Sequence, residues 1–176
     1  NNSEALLTRA LLYKEKGDGK EALRLLKAAL KQDPQHATVL YNLGVLAAQT
    51  AELKTAAHAF TRFIALRPDY ARAYYELGVT YYRQRQYQQA LTISKEGMAL
   101  DGDDPGFYYN MALAYVGLDR SEQAITVLEQ RLTRAPRDAN AHFLLGNTHA
   151  ALSHRANALA HYEKMLDLDP AHPRAT

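Results

Sequence analysis

Pro34, Pro68, Pro136 and Pro170 fall on a 34-residue grid, and Gly102 stands where the grid requires a fifth proline. Numbering each unit so that these residues are position 32 divides the chain into repeats 3–36, 37–70, 71–104, 105–138 and 139–172. Position 20 is then Ala22, Ala56, Ala90, Ala124 and Ala158 without exception. Position 8 is Ala10, Gly44, Gly78, Ala112 and Gly146, all small. A fixed internal period of this length is the signature of stacked repeat units, and it constrains the fold more than any local propensity does.

The columns carry physical meaning. Positions 4, 7, 8 and 11 follow the i, i+3, i+4, i+7 spacing of one helix face, and positions 20, 24, 27 and 28 do the same for a second helix. Each unit therefore reads as a pair of helices, with the closest approach expected where position 8 meets position 20. A leucine at Ala90 would overpack such a contact. The turn between the helices is clearest at Gly17-Asp18-Gly19. Proline at position 32 cannot donate a backbone bond and moves its predecessor out of helical geometry, which ends the second helix. Gly102 is expected to end its helix by flexibility and tolerance of positive φ.

These segments resemble a known family. Tyr41-Asn42-Leu43-Gly44, and Ala56 through Phe60 to Pro68, are similar to the tetratricopeptide repeat pattern of aromatic, Leu-Gly, aromatic, Ala, aromatic, Ala and Pro. The resemblance covers residues 3–172. It implies an all-α, right-handed superhelical solenoid of five helix-turn-helix repeats forming one domain, with 173–176 as a tail. Arg9 at position 7, Ser94 at position 24 and Arg131 at position 27 depart from the pattern and put local packing in question. No single repeat buries its own apolar faces, so folding is expected to be cooperative between neighbours.

In this family the first helices of the units line a concave face, with positions 2, 5, 6, 9, 12 and 13 pointing inward. Carried onto this chain, position 5 reads Leu7, Tyr41, Tyr75, Tyr109 and Phe143, an aromatic stripe through four consecutive repeats. Asn42, Glu76 and Asn110 stand at position 6, Val45, Val79 and Leu113 at position 9, and Arg72 and Tyr82 at positions 2 and 12. Tyrosines offer apolar area with a polar tip, and asparagines offer a donor and an acceptor to a peptide backbone. The resemblance thus implies a scaffold that grips a partner protein or peptide in a Tyr-lined groove. Tyr74 and Tyr108, at position 4, are read as core. Members that clamp a terminal carboxylate need Lys at position 5 and Asn at position 9. Leu7/Leu11, Tyr41/Val45 and Tyr75/Val79 supply neither, which disfavours a chaperone-tail ligand. The alternative is a substrate-targeting arm of a larger enzyme such as an O-linked glycosyltransferase, where position-6 asparagines hold the substrate. Only Asn42 and Asn110 match that ladder.

Signals for chemistry are weak. No phosphate-cradling glycine loop and no nucleophile–base motif occurs, so neither catalysis nor a cofactor is expected of this segment. His142, His149, His154 and His161 gather in the last repeat, but two of them occupy aromatic columns and no carboxylate recurs at ligand spacing. No metal is expected there. Lys20, Arg24, Lys27 and Lys31 form a basic stripe on one helix, read as a solvated face and not as a nucleic-acid surface.

The net charge of +2 hides an asymmetry, +5 over residues 1–88 and −3 over residues 89–176, which can steer a charged partner. With 47% apolar and 23% charged residues the profile is that of a soluble globular chain. No apolar run reaches the roughly 18 residues that cross a bilayer, so direct membrane insertion is not expected. Cysteine is absent, which removes disulfides and leaves cytoplasm and periplasm equally open. The start at Asn1-Asn2-Ser3 suggests a processed protein or an excised part of a longer one. Leu159, Tyr162 and Leu166 face outward on the last unit, and self-association through that repeat is a further expectation.

Overall fold

A computed structural model describes residues 2–171 and contains ten α-helices among them. They are α1 (Asn2–Glu15), α2 (Gly19–Gln32), α3 (Ala37–Gln49), α4 (Leu53–Leu66), α5 (Ala71–Arg83), α6 (Tyr87–Leu100), α7 (Pro105–Gly117), α8 (Ser121–Arg134), α9 (Ala139–Ala151) and α10 (Arg155–Leu168). Each repeat contributes two, and no strand occurs among the described residues. The fold is an all-α solenoid of helix pairs, as the period predicts. The 173–176 tail lies outside the described residues. The chain divides into two compact units, 1–84 and 85–176. In the first, α1 packs on α2, α3 on α4, and α5 on α4. In the second, α6 packs on α7, α7 on α8, and α9 on both α8 and α10.

Every second helix ends two residues before position 32, at Gln32, Leu66, Leu100, Arg134 and Leu168. Gly102 does so without the positive φ expected of it, since Gly17 is the one glycine with positive φ among the described residues. The extended backbone of the preceding residues stops α6 in the same way as in the proline-bearing repeats.

The turn inside each repeat is more regular than its sequence. Position 15 is left-handed five times over: Gly17 (φ 79°), Ala51 (61°), Arg85 (60°), Asp119 (58°) and Ser153 (61°). At Gly17, Ala51, Asp119 and Ser153 the next amide closes a six-to-one bond onto the carbonyl of position 11, as in Asp18 N to Tyr13 O and His154 N to His149 O, both 2.9 Å. This is a Schellman end, which satisfies carbonyls that the helix leaves open. Four non-glycine residues bear a conformation that costs roughly 1–2 kcal/mol each. Only Gly17 announces the turn in the sequence.

All five position-20 alanines are buried, from 0% to 5% exposed. The small residue at position 8, however, makes room for position 24. A Cβ on Gly44 would lie 2.6 Å from Cε1 of Phe60, and one on Gly146 would overlap the Tyr162 ring. Where position 8 is alanine, position 24 is leucine, as in Ala10 with Leu26 and Ala112 with Leu128. The two columns compensate in volume. Repeat three has Gly78 and Ser94, and the fully buried Ser94 hydroxyl has no hydrogen-bond partner. Arg9, the departure at position 7, is simply exposed, whereas Leu43, Leu77, Met111 and Leu145 in that column are buried.

Position 4 ties the incoming loop to the repeat. Tyr74 donates to the Pro68 carbonyl (3.0 Å) and Tyr108 to the Gly102 carbonyl (3.1 Å). His142 places Nε2 3.4 Å from the Pro136 carbonyl. The core reading of Tyr74 and Tyr108 agrees with their 7% and 3% exposure.

Candidate peptide-binding faces

In the first unit, α3 and α5 are the first helices of neighbouring repeats and touch each other. Tyr41, Asn42 and Val45 on α3, and Tyr75, Glu76, Val79 and Tyr82 on α5, are all partly exposed; Arg72 is exposed. Within helical periodicity positions 5, 9 and 12 share one face, so Tyr75, Val79 and Tyr82 line a continuous apolar strip along α5.

Tyr41 is held on several sides. Its ring centroid lies 6.0 Å from Phe60, 5.2 Å from Phe63 and 5.5 Å from Tyr70. Burial pushes its hydroxyl pKa up, with Tyr70 and the nearby charge of Glu76 acting in the same direction against Arg72. Arg72 sits with its guanidinium carbon 4.5 Å from the Tyr75 ring centre and makes an ion pair of 2.8 Å with Glu76. The Asn42 amide donates to the Thr38 carbonyl one turn back, at 2.9 Å. This face is partly preorganised: Arg72 and Glu76 are paired, Tyr41 is braced by three rings, and Arg72 covers Tyr75. Such order lowers the entropy lost when a ligand binds.

In the second unit, the face formed by α7 and α9 differs. Leu113 and Phe143 are partly exposed, with the Phe143 ring 6.4 Å from that of Tyr162. Asn110 departs from expectation: it is 6% exposed, and its amide does not face solvent. Tyr109 is partly buried and its hydroxyl is committed, donating to Asp138 Oδ1 at 2.5 Å. Arg131 Nε donates to the other oxygen, Asp138 Oδ2, at 2.7 Å. Asp138 also caps α9 by accepting from the Ala141 amide at 3.0 Å. Burial would raise the Asp138 carboxyl, but its bonds to Tyr109, Arg131 and Ala141 together hold it below the usual range. Burial and the bond to Asp138 push the Tyr109 phenol strongly upward, so this ring is a fixed donor.

Sequence reasoning missed the partners of these tyrosines. Phe63 and Tyr70 occupy positions 27 and 34 of repeat two, and Arg131 and Asp138 the same positions of repeat four. One scaffold locus is thus filled by an aromatic cluster in one repeat and by a buried ion pair in another. Arg131 read as a packing defect because its counter-ion sits in a column that no periodic pattern marks. A cavity of about 340 Å³ in the second unit is lined by Lys95 and Met98 of α6, Met111 of α7 and Val127 of α8. No cluster of three or more metal-ligating side chains suited to an ion occurs among the described residues. No described helix is long and apolar enough to cross a membrane.

The repeat geometry is matched in known proteins. A tetratricopeptide repeat family model matches residues 7–56 and 109–173. The chain belongs to the tetratricopeptide repeat family. A second model, for the anaphase-promoting complex, cyclosome, subunit 3, matches residues 49–131. No curated protein matches the chain. Among solved structures, MamA 41-end from Desulfovibrio magneticus RS-1 has a TM-score of 0.86 at 24% identity, covering 98% of this chain and 97% of that one. YrrB, described as a TPR protein with an unusual peptide-binding site, has a TM-score of 0.77 at 22% identity, covering 97% and 88%. TTC0263, a thermophilic TPR protein of Thermus thermophilus, has a TM-score of 0.71 at 21% identity, covering 98% and 94%. These likenesses concern the fold.

Proposed function

We propose that this tetratricopeptide repeat chain is a non-catalytic scaffold that binds a partner peptide on the tyrosine-bearing face of its first helices. What supports this reading is the strip Tyr75–Val79–Tyr82 on α5, partly exposed and flanked by the braced Tyr41 on α3. Aromatic rings with fixed neighbours and a polar tip are what interface anchors are made of. The likeness to YrrB, whose peptide-binding site is described, points the same way. The ion-paired Arg72 and Glu76 leave the strip weakly polar, which favours an apolar ligand.

The second reading, an arm that presents substrate to an attached enzyme, draws less support. Its asparagine ladder rested on Asn42 and Asn110; Asn110 is buried, and the Asn42 amide bonds to its own helix.

The test is selection of random 12-residue peptides on the full chain, with binding of the winners measured calorimetrically. Tyr75→Ala/Tyr82→Ala should weaken them at least tenfold, about 1.4 kcal/mol, while the melting profile shows the variant folded. Tyr41 is unsuited to this test because it also braces Phe63 and Tyr70. If selected peptides bind the variant as tightly as the parent, this face is not the site.

A further inference from the structure

The last repeat holds four histidines that the binding face does not use. His142 and His149 lie on α9, His161 on α10, and His154 at the N-cap of α10. They form one chain of contacts. His142 Nδ1 is 3.0 Å from His161 Nδ1. The His161 ring stacks on His149 with centroids 5.5 Å apart and planes 7° apart. His149 Nδ1 is 3.5 Å from His154 Nδ1, brought there by the Schellman bond between their backbones. His142 and His149 are 8% and 7% exposed.

The columns show what was exchanged. Position 23, occupied here by His161, is Leu25, Ala59, Ile93 and Val127 elsewhere. Position 4, here His142, is tyrosine in repeats three and four, and position 11, here His149, is tyrosine in repeats one, three and four. A seam that is apolar or phenolic in other repeats is imidazole in this one.

We propose that this histidine seam makes the docking of α10 on α9 acid-labile, so that repeat five opens in mildly acidic solution while the other repeats stay closed. The geometry sets the mechanism. With His142 Nε2–H donating to the Pro136 carbonyl, His142 Nδ1 is the acceptor and His161 Nδ1–H the donor. One added proton can be shared across this contact, but a proton on each ring sets two N–H groups against each other at 3.0 Å. The stacked His149 and His161 rings likewise repel when both are charged. Nothing nearby compensates. Neither α7 nor α9 contains Asp, Glu, Lys or Arg. On α8, Arg131 is taken by Asp138 and Arg134 by Asp103, while Glu122 and Glu129 are exposed. On α10, Arg155, Glu163, Lys164 and Asp167 are exposed. Asp138, at the start of α9, is spent on Arg131, Tyr109 and the α9 amide.

The sign follows. Burial, then His142 and His149, hold the His161 pKa below its ordinary value. A base with a depressed folded pKa takes up its proton more readily when unfolded. Its contribution is therefore whole above about pH 6.5, the usual histidine value, and is lost as pH falls below it.

Hydrogen exchange of the full chain at pH 7.5, 6.5 and 5.5, corrected for intrinsic rates, tests the proposal. The opening constant of α10 should rise below pH 6.5 by up to about tenfold per pH unit for each extra proton taken up. Protection of α1–α4 should hold. His142→Tyr/His149→Tyr, which restores the residues of the sister repeats, should reduce the rise to the part that the burial of His161 alone carries. His161→Leu, the residue of Leu25 at that position, should flatten it as well and serves if the double variant does not fold. Acid-insensitive exchange in α10, an equal loss in every repeat, or an unchanged loss in the folded variants would overturn the proposal.

Discussion

A methyl group added at Gly44 brings two opposed effects. Alanine is favoured over glycine inside a helix by about 1 kcal/mol. Yet the new Cβ would stand 2.6 Å from Phe60, a ring that is 0% exposed and already set against Tyr41. Overpacking of that kind costs typically about 1–3 kcal/mol, so Gly44→Ala should destabilise on balance. Phe60→Leu should then rescue it, because Ala10 with Leu26 and Ala112 with Leu128 already pair those residues at positions 8 and 24. Urea unfolding of the two single variants and the double should give a favourable coupling of about 1 kcal/mol or more. Additive losses would mean that volume compensation between the columns is not what keeps position 8 small.

At the scale of the element, the junction between one helix pair and the next is built in two chemistries. Repeat two uses Tyr41, Phe63 and Tyr70; repeat four uses Tyr109, Arg131 and Asp138. Asp138 and Arg131 side chains are 7% and 15% exposed, so removing either partner strands a desolvated charge. Asp138→Tyr or Arg131→Phe alone should each cost about 3 kcal/mol. The two together recreate the aromatic cluster of repeat two. Buried pairs are often replaced by packed apolar groups without loss, so the double variant should recover most of the deficit, less about 1 kcal/mol for the lost α9 cap. Thermal and urea denaturation read both. If the double variant is as unstable as the sum of the singles, the two junctions are not interchangeable.

For the whole molecule, what was legible in the sequence and what was not divide by a single physical criterion. Features enforced by packing recur every repeat and leave a periodic mark: Ala22 through Ala158, the position-8 residues, the position-32 stops. Features enforced by backbone geometry do not. Position 15 takes a left-handed φ in Ala51, Arg85, Asp119 and Ser153, with Schellman bonds closing the turns at Ala51, Asp119 and Ser153, and only Gly17 shows it in the sequence. Pairings across columns were equally silent, which is why Arg131 looked like a defect. Of the candidate face, Tyr75, Val79 and Tyr82 are partly exposed, whereas Tyr41 and Tyr109 are engaged in their own junctions. The same locality governs how the chain should respond to damage. Within each unit the helices pack chiefly on their neighbours in sequence, and stability in arrays of this kind is passed from repeat to repeat. Leu145 is 0% exposed and joins Leu128 and Ala112 in one cluster with Ala124 and Ile125. Leu145→Ala should cost about 2–5 kcal/mol where it acts. Hydrogen exchange should show that loss in α7–α10 and little or none in α1 and α2. A uniform loss of protection from α1 to α10 would mean that the chain unfolds as one all-or-none body and that the repeat-wise account of its stability is wrong.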